Sequence, residues 1–191
     1  MLVSLKNISQ YVSLEGLTPE DIANKLTFAG VEVEEISRLA SGTNLVIGEV
    51  KECVAHPNSD HLHVLQVNLG EKYGTTQIVC GAPNARAGLK VIVARVGAKL
   101  PQIEIKDGMI RGEASHGMCC SLLELGVDGK YLSDYQKAGI EELDQDAPVG
   151  DNNPLAYLNL DDTIIDVNVT PNRADVLGLN HLVNEISAIL N

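Results

Sequence analysis

The chain has 191 residues, 45% of them hydrophobic, so it is long enough to bury one large core or two small ones. Its formal net charge of −12 argues against a general polyanion-binding protein. No apolar run approaches the roughly 20 residues that a membrane span requires, and the four cysteines form no CxxC pair. We therefore expect a cytoplasmic protein with free thiols and no membrane association.

The first strongly predicted element is a helix within GLTPEDIANKLTFAG. Thr18 is a natural N-cap, Pro19 suits the first helical position, and Asp21 completes a capping box. Gly30 supplies the left-handed residue that commonly ends a helix. The next segment, VEVEEI, alternates between apolar and polar residues, which predicts a half-buried strand.

The middle of the chain is predicted to form a small β-barrel. Its apolar segments LVIGEVKECVAH, HLHVLQVNL, TTQIVC and LKVIVARVGAKL are short and separated by turn-forming residues. Five or so such strands in about 80 residues fit a closed barrel. Eight basic and eight acidic residues cancel between residues 45 and 125, so the rest of the chain carries the whole net charge. A neutral middle between acidic ends indicates two units with different tasks.

The segment from residue 126 to residue 151 is acidic and predicted to be loop-like. Regular structure returns with a strand around Ile165 and Val167, a break at TPN, and a helix carrying Leu182 and Ile186 on one side. The first and last ~40 residues are each too short to fold alone. We therefore expect the two ends to pack together, with the barrel inserted between them.

The stretch HPNSDHLH raises the question of a metal site. Four side chains in or near it could bind a metal: Cys53, His56, His61 and His63. Zinc sites draw on tighter pairs such as CxxC or HxxxH, whereas the only close pair is His61 with His63, two residues apart on a strand. Pro57 and Asn58 favour a turn. We interpret the stretch as a hairpin turn and predict no metal site.

Catalysis is not predicted from the segment GEASHGMCCS. Its spacing is G-x-x-S-x-G, which is not the G-x-S-x-G of a nucleophile elbow. Ser115 and His116 are neighbours in sequence and would point to opposite sides of a strand. We interpret the adjacent cysteines as core residues. The chain also contains no GxxxxGK[ST] or GxGxxG phosphate loop.

Aromatic residues are scarce in the predicted barrel, where Tyr73 is the only one besides histidines between residues 45 and 125. Base stacking on single-stranded RNA requires aromatic platforms. If a barrel of this composition binds nucleic acid, we therefore expect it to recognise the nucleic-acid backbone and the shape of the folded RNA more than unpaired bases.

The barrel segments, together with QIVCGAPNARAGLK and IRGEASHGMCCSLLELG, resemble the tRNA-binding OB-fold domain. That domain occurs as a free-standing protein, appended to methionyl-tRNA synthetase, and within the bacterial phenylalanyl-tRNA synthetase β subunit. The flanks MLVSLKNISQYV and LDDTIIDVNVTPNRADVLGL resemble the β subunit. The resemblance implies a fold of mixed class, α+β and all-β. It also implies that an OB-fold barrel at residues 39–149 is inserted into a small discontinuous helical (α+β) domain of residues 1–38 and 150–191.

This resemblance implies a non-catalytic tRNA-binding and scaffold module of phenylalanine–tRNA ligase. The parent enzyme of the family joins phenylalanine to its tRNA using ATP and Mg²⁺, as an α2β2 assembly whose α subunit holds the aminoacylation site. We expect no catalytic residue and no cofactor in this chain. Because the family's β subunit is several times longer, the chain looks like an amino-terminal fragment.

Polar residues on the predicted barrel strands and loops are the candidate tRNA contacts: Asn58, His61, Lys90, Arg95, Lys99, Arg111 and Ser115. His61 occupies a position where the family usually carries lysine or arginine, and a histidine is positively charged only in mildly acidic solution. Two alternatives stay open. One is a free-standing tRNA-binding protein, and the other is an architectural module without useful RNA binding, which the neutral barrel and acidic flanks favour.

Overall fold

A computed structural model describes residues 1–190, which form two compact units, residues 1–39 with 161–190 and Ala40–Leu160. The strands are β1 (Leu2–Ser4), β2 (Glu32–Arg38), β3 (Leu45–Ala55), β4 (His63–Asn68), β5 (Thr75–Cys80), β6 (Lys90–Arg95), β7 (Gly108–Ile110), β8 (Glu113–Ser115), β9 (Gly117–Cys119), β10 (Glu142–Leu143) and β11 (Thr163–Asn168). The α-helices are α1 (Leu5–Ile8), α2 (Pro19–Phe28), α3 (Asp134–Ala138), α4 (Pro154–Tyr157) and α5 (Leu179–Leu190). Within the described residues, none of these helices is long and apolar enough to cross a bilayer.

The flanking unit is built from both ends of the chain. Its sheet has the order β1-β11-β2, and both pairings are antiparallel. Strand β11 comes from the carboxyl end and lies between two strands from the amino end, so neither end could form this sheet alone. Ile165 and Val167 of β11 are fully buried against Leu26 of α2 and Ile186 of α5. Both ends of the chain thus contribute to one sheet and one core, and residues Ala40–Leu160 lie between them in the sequence.

Helix α2 begins and ends at the predicted residues. The Thr18 side chain accepts a hydrogen bond from the Asp21 N–H at 3.1 Å, and Asp21 Oδ2 accepts one from the Thr18 N–H at 3.0 Å. This reciprocal pair satisfies two N–H groups that would otherwise lack partners. At the other end Gly30 adopts φ +86°, and the Val31 N–H donates to the Leu26 carbonyl. The predicted capping box and glycine stop are confirmed.

The second unit contains the predicted barrel. Its main sheet has the order β10-β6-β3-β4-β5, with β9 also paired to β6, and every pairing is antiparallel. Strand β3 is eleven residues long, pairs with β6 up to Glu49 and with β4 from Glu49 onward, and bulges between Val50 and Glu52. Such a bulge bends a strand, which lets one strand serve two sides of a barrel. The OB-type barrel is confirmed.

The segment after the barrel strands is more regular than its composition indicates. Residues 126–160 contain α3, β10 and α4, although residues 126–151 were predicted to be loop-like. Leu143, Ala147 and Leu155 are buried in one cluster with Ile47 and Ile92 of the barrel. These contacts place residues 150–160 in the barrel unit, whereas the sequence assigned them to the flanking domain. Isolated apolar residues between acidic ones give no periodic signal, so only the packing reveals them.

A carboxylate on β10 joins this segment to the loop before β6. Glu142 Oε2 forms an ion pair with Arg86 Nη2 at 2.7 Å, while Glu142 Oε1 accepts from Arg86 Nη1 at 2.9 Å and from Asn84 Nδ2 at 3.0 Å. Tyr135 Oη donates to the same carboxylate. These donors, led by Arg86, lower the pKa of Glu142 from 4.5 to about 2.

Replacing Glu142 by glutamine is expected to lower the melting temperature at pH 7 by about 2–4 °C. A carboxyl group whose pKa is lowered by folding stabilises the folded state at pH values above its ordinary pKa of 4.5. This stabilisation is lost as the pH falls from 4.5 towards 2. The difference between the wild type and Glu142→Gln should therefore shrink over this range in thermal melts. Glu52→Gln removes the same charge at an exposed position and should show no such trend. A pH-independent difference for Glu142→Gln would contradict the assignment.

Candidate nucleic-acid interface

The β3–β4–β5 meander distributes the predicted contact residues between two ends of the sheet. Antiparallel pairing puts the turn between β3 and β4, residues 56–62, at one end and the turn between β4 and β5, residues 69–74, at the other. Asn58 and His61 lie in the first turn. Arg95 follows Ala94, the partner of Leu45 at the start of β3, and therefore lies at the second end. The predicted residues do not converge on one site.

The first group comprises His56, Asn58, Ser59 and Arg111, which we call the histidine-turn group. The Asn58 N–H donates to His56 Nδ1 at 3.0 Å, which leaves the proton on Nε2, 3.0 Å from the Ile110 carbonyl. Asn58 Nδ2 donates to the Arg111 carbonyl at 3.1 Å, and Arg111 Nη1 donates to Ser59 Oγ at 3.3 Å. The turn is thus joined to the β7–β8 hairpin, and the exposed His61 and Arg111 lie at its surface.

These hydrogen bonds explain the histidine-rich stretch as a turn. His56 is 4% exposed and uses both ring nitrogens within the protein. Cys53 Sγ lies 3.6 Å from the Ala85 carbonyl. Across residues 1–190, no group of three or more histidine, cysteine or acidic side chains is arranged to hold a metal ion.

The second group comprises Asn44, Lys72, Tyr73 and Arg95, which we call the tyrosine-turn group. The Arg95 guanidinium lies 4.0 Å from the centre of the Tyr73 ring, and Lys72 Nζ lies 5.0 Å from it. Arg95 Nη1 also donates to Asn44 Oδ1 at 3.1 Å. Lys99 belongs to the same end of the barrel, because its N–H donates to Thr43 Oγ1 at 2.9 Å.

Two predicted contact residues have their polar groups engaged within the barrel. Ser115 is 5% exposed, and its hydroxyl accepts from the Val79 N–H and donates to the Gly117 carbonyl, both at 3.1 Å. Lys90 Nζ donates to the Ala147 carbonyl at 2.6 Å. The Ser115 hydroxyl bridges β8 and β5, a role that sequence analysis missed because pairing between distant strands leaves no local pattern.

The neighbouring histidine does not activate this serine. His116 Nδ1 contacts Asp107 Oδ1 at 2.5 Å on the exposed side, while the Ser115 hydroxyl is buried among strands. Cys119 and Cys120 are buried free thiols, as predicted for core residues. Burial raises the pKa of the Cys120 thiol to about 12, so it is not a thiolate nucleophile at neutral pH.

Most basic side chains of the barrel form no ion pair with a carboxylate in the part of the chain that the structure describes. Of the eight basic residues between residues 45 and 125, Lys51 pairs with Glu49 and Arg86 pairs with Glu142. The other six form no ion pair with any carboxylate in the described chain: Lys72, Lys90, Arg95, Lys99, Lys106 and Arg111. Local pairing, not the sum of charges, determines which cations can meet a phosphate.

An apolar cleft on the barrel was not anticipated from the sequence. It has a volume of about 640 Å³ and is lined mainly by apolar side chains, including Ile103, Met109 and Met118. Ile103 is 52% exposed and Met109 is 71% exposed. Cys80 also borders the cleft, and a hydrogen bond with Cys119 lowers the pKa of the Cys80 thiol to about 7. The sequence signal that could have indicated this cleft was the segment IEIKDGMI, which is rich in apolar residues. These residues were not needed for the core, because the predicted barrel strands already supplied it.

Comparison with known proteins places the chain in a described family. Residues 45–152 match a family described as a putative tRNA binding domain. The whole chain is 45% identical to part of the phenylalanine–tRNA ligase β subunit of Halalkalibacterium halodurans and 44% identical to that of Bacillus subtilis, covering 24% of each. The chain thus spans about a quarter of the length of these curated relatives. A solved MetRS-related protein from Pyrococcus horikoshii matches 56% of this chain and is covered over 84% of its own length, with 20% identity and a TM-score of 0.38.

Proposed function

Because the chain belongs to the putative tRNA binding domain family, we propose that its barrel binds tRNA. The observation that carries this proposal is the family match over residues 45–152, which spans the barrel strands and every member of the two polar groups except Asn44. The match of the entire chain to phenylalanine–tRNA ligase β subunits supports a narrower proposal. On that basis the chain is the non-catalytic tRNA-binding and scaffold module of such a subunit.

The wider setting is proposed from the relatives. The parent enzyme would join phenylalanine to its specific tRNA in the cytoplasm, using ATP and Mg²⁺ bound outside this chain. Its α subunit would be the partner in an α2β2 assembly. The match over the full chain, flanks included, favours this setting over a free-standing tRNA-binding protein.

The proposed tRNA contacts are the accessible members of the predicted set: Asn58, His61, Arg95, Lys99 and Arg111. Arg95, Lys99 and Arg111 carry permanent charge and form no ion pair within residues 1–190. The hydroxyl of Ser115 and the ammonium of Lys90 are engaged within the barrel, so we assign them to its structure. The architectural alternative is favoured by the acidic flanks, which would repel a polyanion.

We expect the chain to bind phenylalanine-specific tRNA with micromolar affinity at low salt. Three phosphate contacts from Arg95, Lys99 and Arg111 would give a slope of about −2 to −3 in a plot of log K against log salt. Raising salt from 50 to 200 mM should then weaken binding by about 20- to 40-fold, as measured by fluorescence anisotropy with labelled tRNA.

A charge-matched pair of triple variants separates local contacts from overall charge. Changing Arg95, Lys99 and Arg111 together to glutamine should flatten the salt dependence. Changing Lys25, Arg38 and Lys51 to glutamine removes the same charge elsewhere and should preserve most of it. If the wild-type chain shows no saturable binding even at 50 mM salt, the tRNA-binding proposal fails and the architectural alternative is adopted.

A further inference from the structure

The tyrosine-turn group brings two cations to one aromatic ring. The Arg95 guanidinium and Lys72 Nζ lie 4.0 and 5.0 Å from the centre of the Tyr73 ring, so they are at most about 9 Å apart. Each cation gains from the electron-rich ring face. The two positive charges also repel each other at this separation. An anion placed beside them would relieve that repulsion.

Arg95 is held in place before any ligand arrives. Its backbone N–H donates to the Asn44 carbonyl at 3.2 Å, and its Nη1 donates to Asn44 Oδ1 at 3.1 Å. Asn44 has the left-handed φ of 52°, and its Nδ2 donates to the Val96 carbonyl at 2.9 Å. Stacking on Tyr73 restricts the guanidinium further. Less side-chain entropy therefore remains to be lost on binding.

The donors of Arg95 are largely unused within residues 1–190. A guanidinium has five N–H donors, and the one side-chain hydrogen bond that Arg95 makes in this part of the chain goes to Asn44. Neither Arg95 nor Lys72 forms an ion pair with any described carboxylate, including Glu71 in the same turn. A planar guanidinium with free donors and no counter-ion suits bidentate binding of a phosphate.

The surface beside the group leaves room for a nucleic-acid backbone. An open cleft of about 680 Å³ is bordered by Lys72 and by three glycines: Gly70, Gly74 and Gly150. Glycine lets a ligand approach the protein backbone closely. Glu71 also borders this cleft and would keep an anion on the side of the cations. Arg95 already covers part of the Tyr73 ring, which favours contact with a phosphate over base stacking.

We propose that Arg95 and Lys72, held by Tyr73 and Asn44, form a phosphate-binding site for the RNA backbone at the second end of the barrel. This inference rests on the proposed function, and it locates that function at one turn of the barrel. Arg95 supplies the bidentate donors, Lys72 supplies a second charge, and Tyr73 acts as a positioning residue. The exposed histidine-turn residues would be a separate contact.

The test compares Arg95→Gln with Lys51→Gln in titrations against phenylalanine-specific tRNA. Both variants lose one positive charge from the barrel, but Lys51 is paired with Glu49 and lies outside the group. We expect Arg95→Gln to weaken binding about tenfold at 100 mM salt and to reduce the magnitude of the salt slope by about one. Lys51→Gln should change affinity less than about twofold.

Further variants test the geometry of the site. Tyr73→Phe keeps the ring and should bind like the wild type, whereas Tyr73→Leu should bind about three- to fivefold more weakly. Arg95→Lys keeps the charge without the planar fork and should fall between the wild type and Arg95→Gln. Thermal melts identify any variant that fails to fold. If Arg95→Gln cannot be studied for that reason, Arg95→Lys decides: wild-type affinity would overturn the inference.

The outcomes separate the two proposals. Wild-type binding with equal affinities and slopes for Arg95→Gln and Lys51→Gln would overturn the phosphate site and leave tRNA binding intact. Absence of wild-type binding would overturn the proposed function and the phosphate site with it. A selective loss in Arg95→Gln, together with normal binding by Tyr73→Phe, would support both.

Discussion

Replacing Ile92 by alanine is expected to lower the free energy of unfolding of the barrel by about 2–5 kcal/mol. Ile92 is 0% exposed on β6, where it is paired with Ile47 of β3. It belongs to a cluster that also contains Leu125 and Leu143, so it joins the barrel sheet to the segment that follows it. The substitution removes apolar atoms that are buried from water in the folded state, so their contribution to stability is lost. It also leaves a cavity that the hydrogen-bonded strands cannot move to fill.

Ile103→Ala is the matched control, because it deletes the same atoms from a side chain that is 52% exposed. Its effect should lie within about 0.5 kcal/mol. Urea unfolding followed by tyrosine fluorescence measures both variants, since four of the five tyrosines lie in the barrel unit. Equal losses for the two variants would mean that Ile92 does not occupy a rigid core.

Gly70→Ala is expected to destabilise the barrel by about 3 kcal/mol, clearly more than Gly74→Ala in the same turn. Both glycines have left-handed φ values, +83° and +69°. A side chain in that region costs about 1 kcal/mol whatever surrounds it. At Gly70 a Cβ would also lie 2.9 Å from the Gly150 Cα, and backbone atoms cannot move aside as a flexible side chain would.

The variant Gly74→Ala measures the cost of the left-handed φ without a steric clash. A Cβ at that position would meet no atom within 4 Å, so Gly74→Ala should cost only about 1 kcal/mol. Urea unfolding of both variants measures the difference. Since this turn carries Lys72 and Tyr73, Gly70→Ala should also weaken tRNA binding more than Gly74→Ala does. Equal stability losses would show that the Gly70–Gly150 contact is relaxed in solution.

Structural features that depend on residues close together in the sequence were predicted well. The capping box of Thr18 and Asp21, the stop at Gly30 and the alternating strand β2 depend on residues that lie close together in the sequence. Strand β6 lies within the predicted barrel segment LKVIVARVGAKL. Local chemistry decides such features because the hydrogen bonds and side-chain faces involved lie within a few residues.

The binding surface could be predicted only in its ingredients. Tyr73 stood out as the only aromatic residue besides histidines between residues 45 and 125, and Arg95 was a candidate contact. Their stacking joins a turn to the end of a strand 22 residues later, which the sequence does not reveal. Ser115 was a plausible contact from its polarity, and the fold buried it. Whether a cation is paired, as Arg86 is with Glu142, depends on a partner more than fifty residues away.

The amino-acid sequence alone predicted the barrel strands and the family resemblance, which the structure and the comparisons confirm. Tertiary structure decided which polar groups remain available to a ligand. Whether a segment forms a strand or a helix cap depends mainly on residues nearby in the sequence. Whether a polar side chain can reach a ligand depends on its burial and on charges brought together across the sheet. Packing between distant segments therefore left Arg95 unpaired and accessible while it enclosed Ser115.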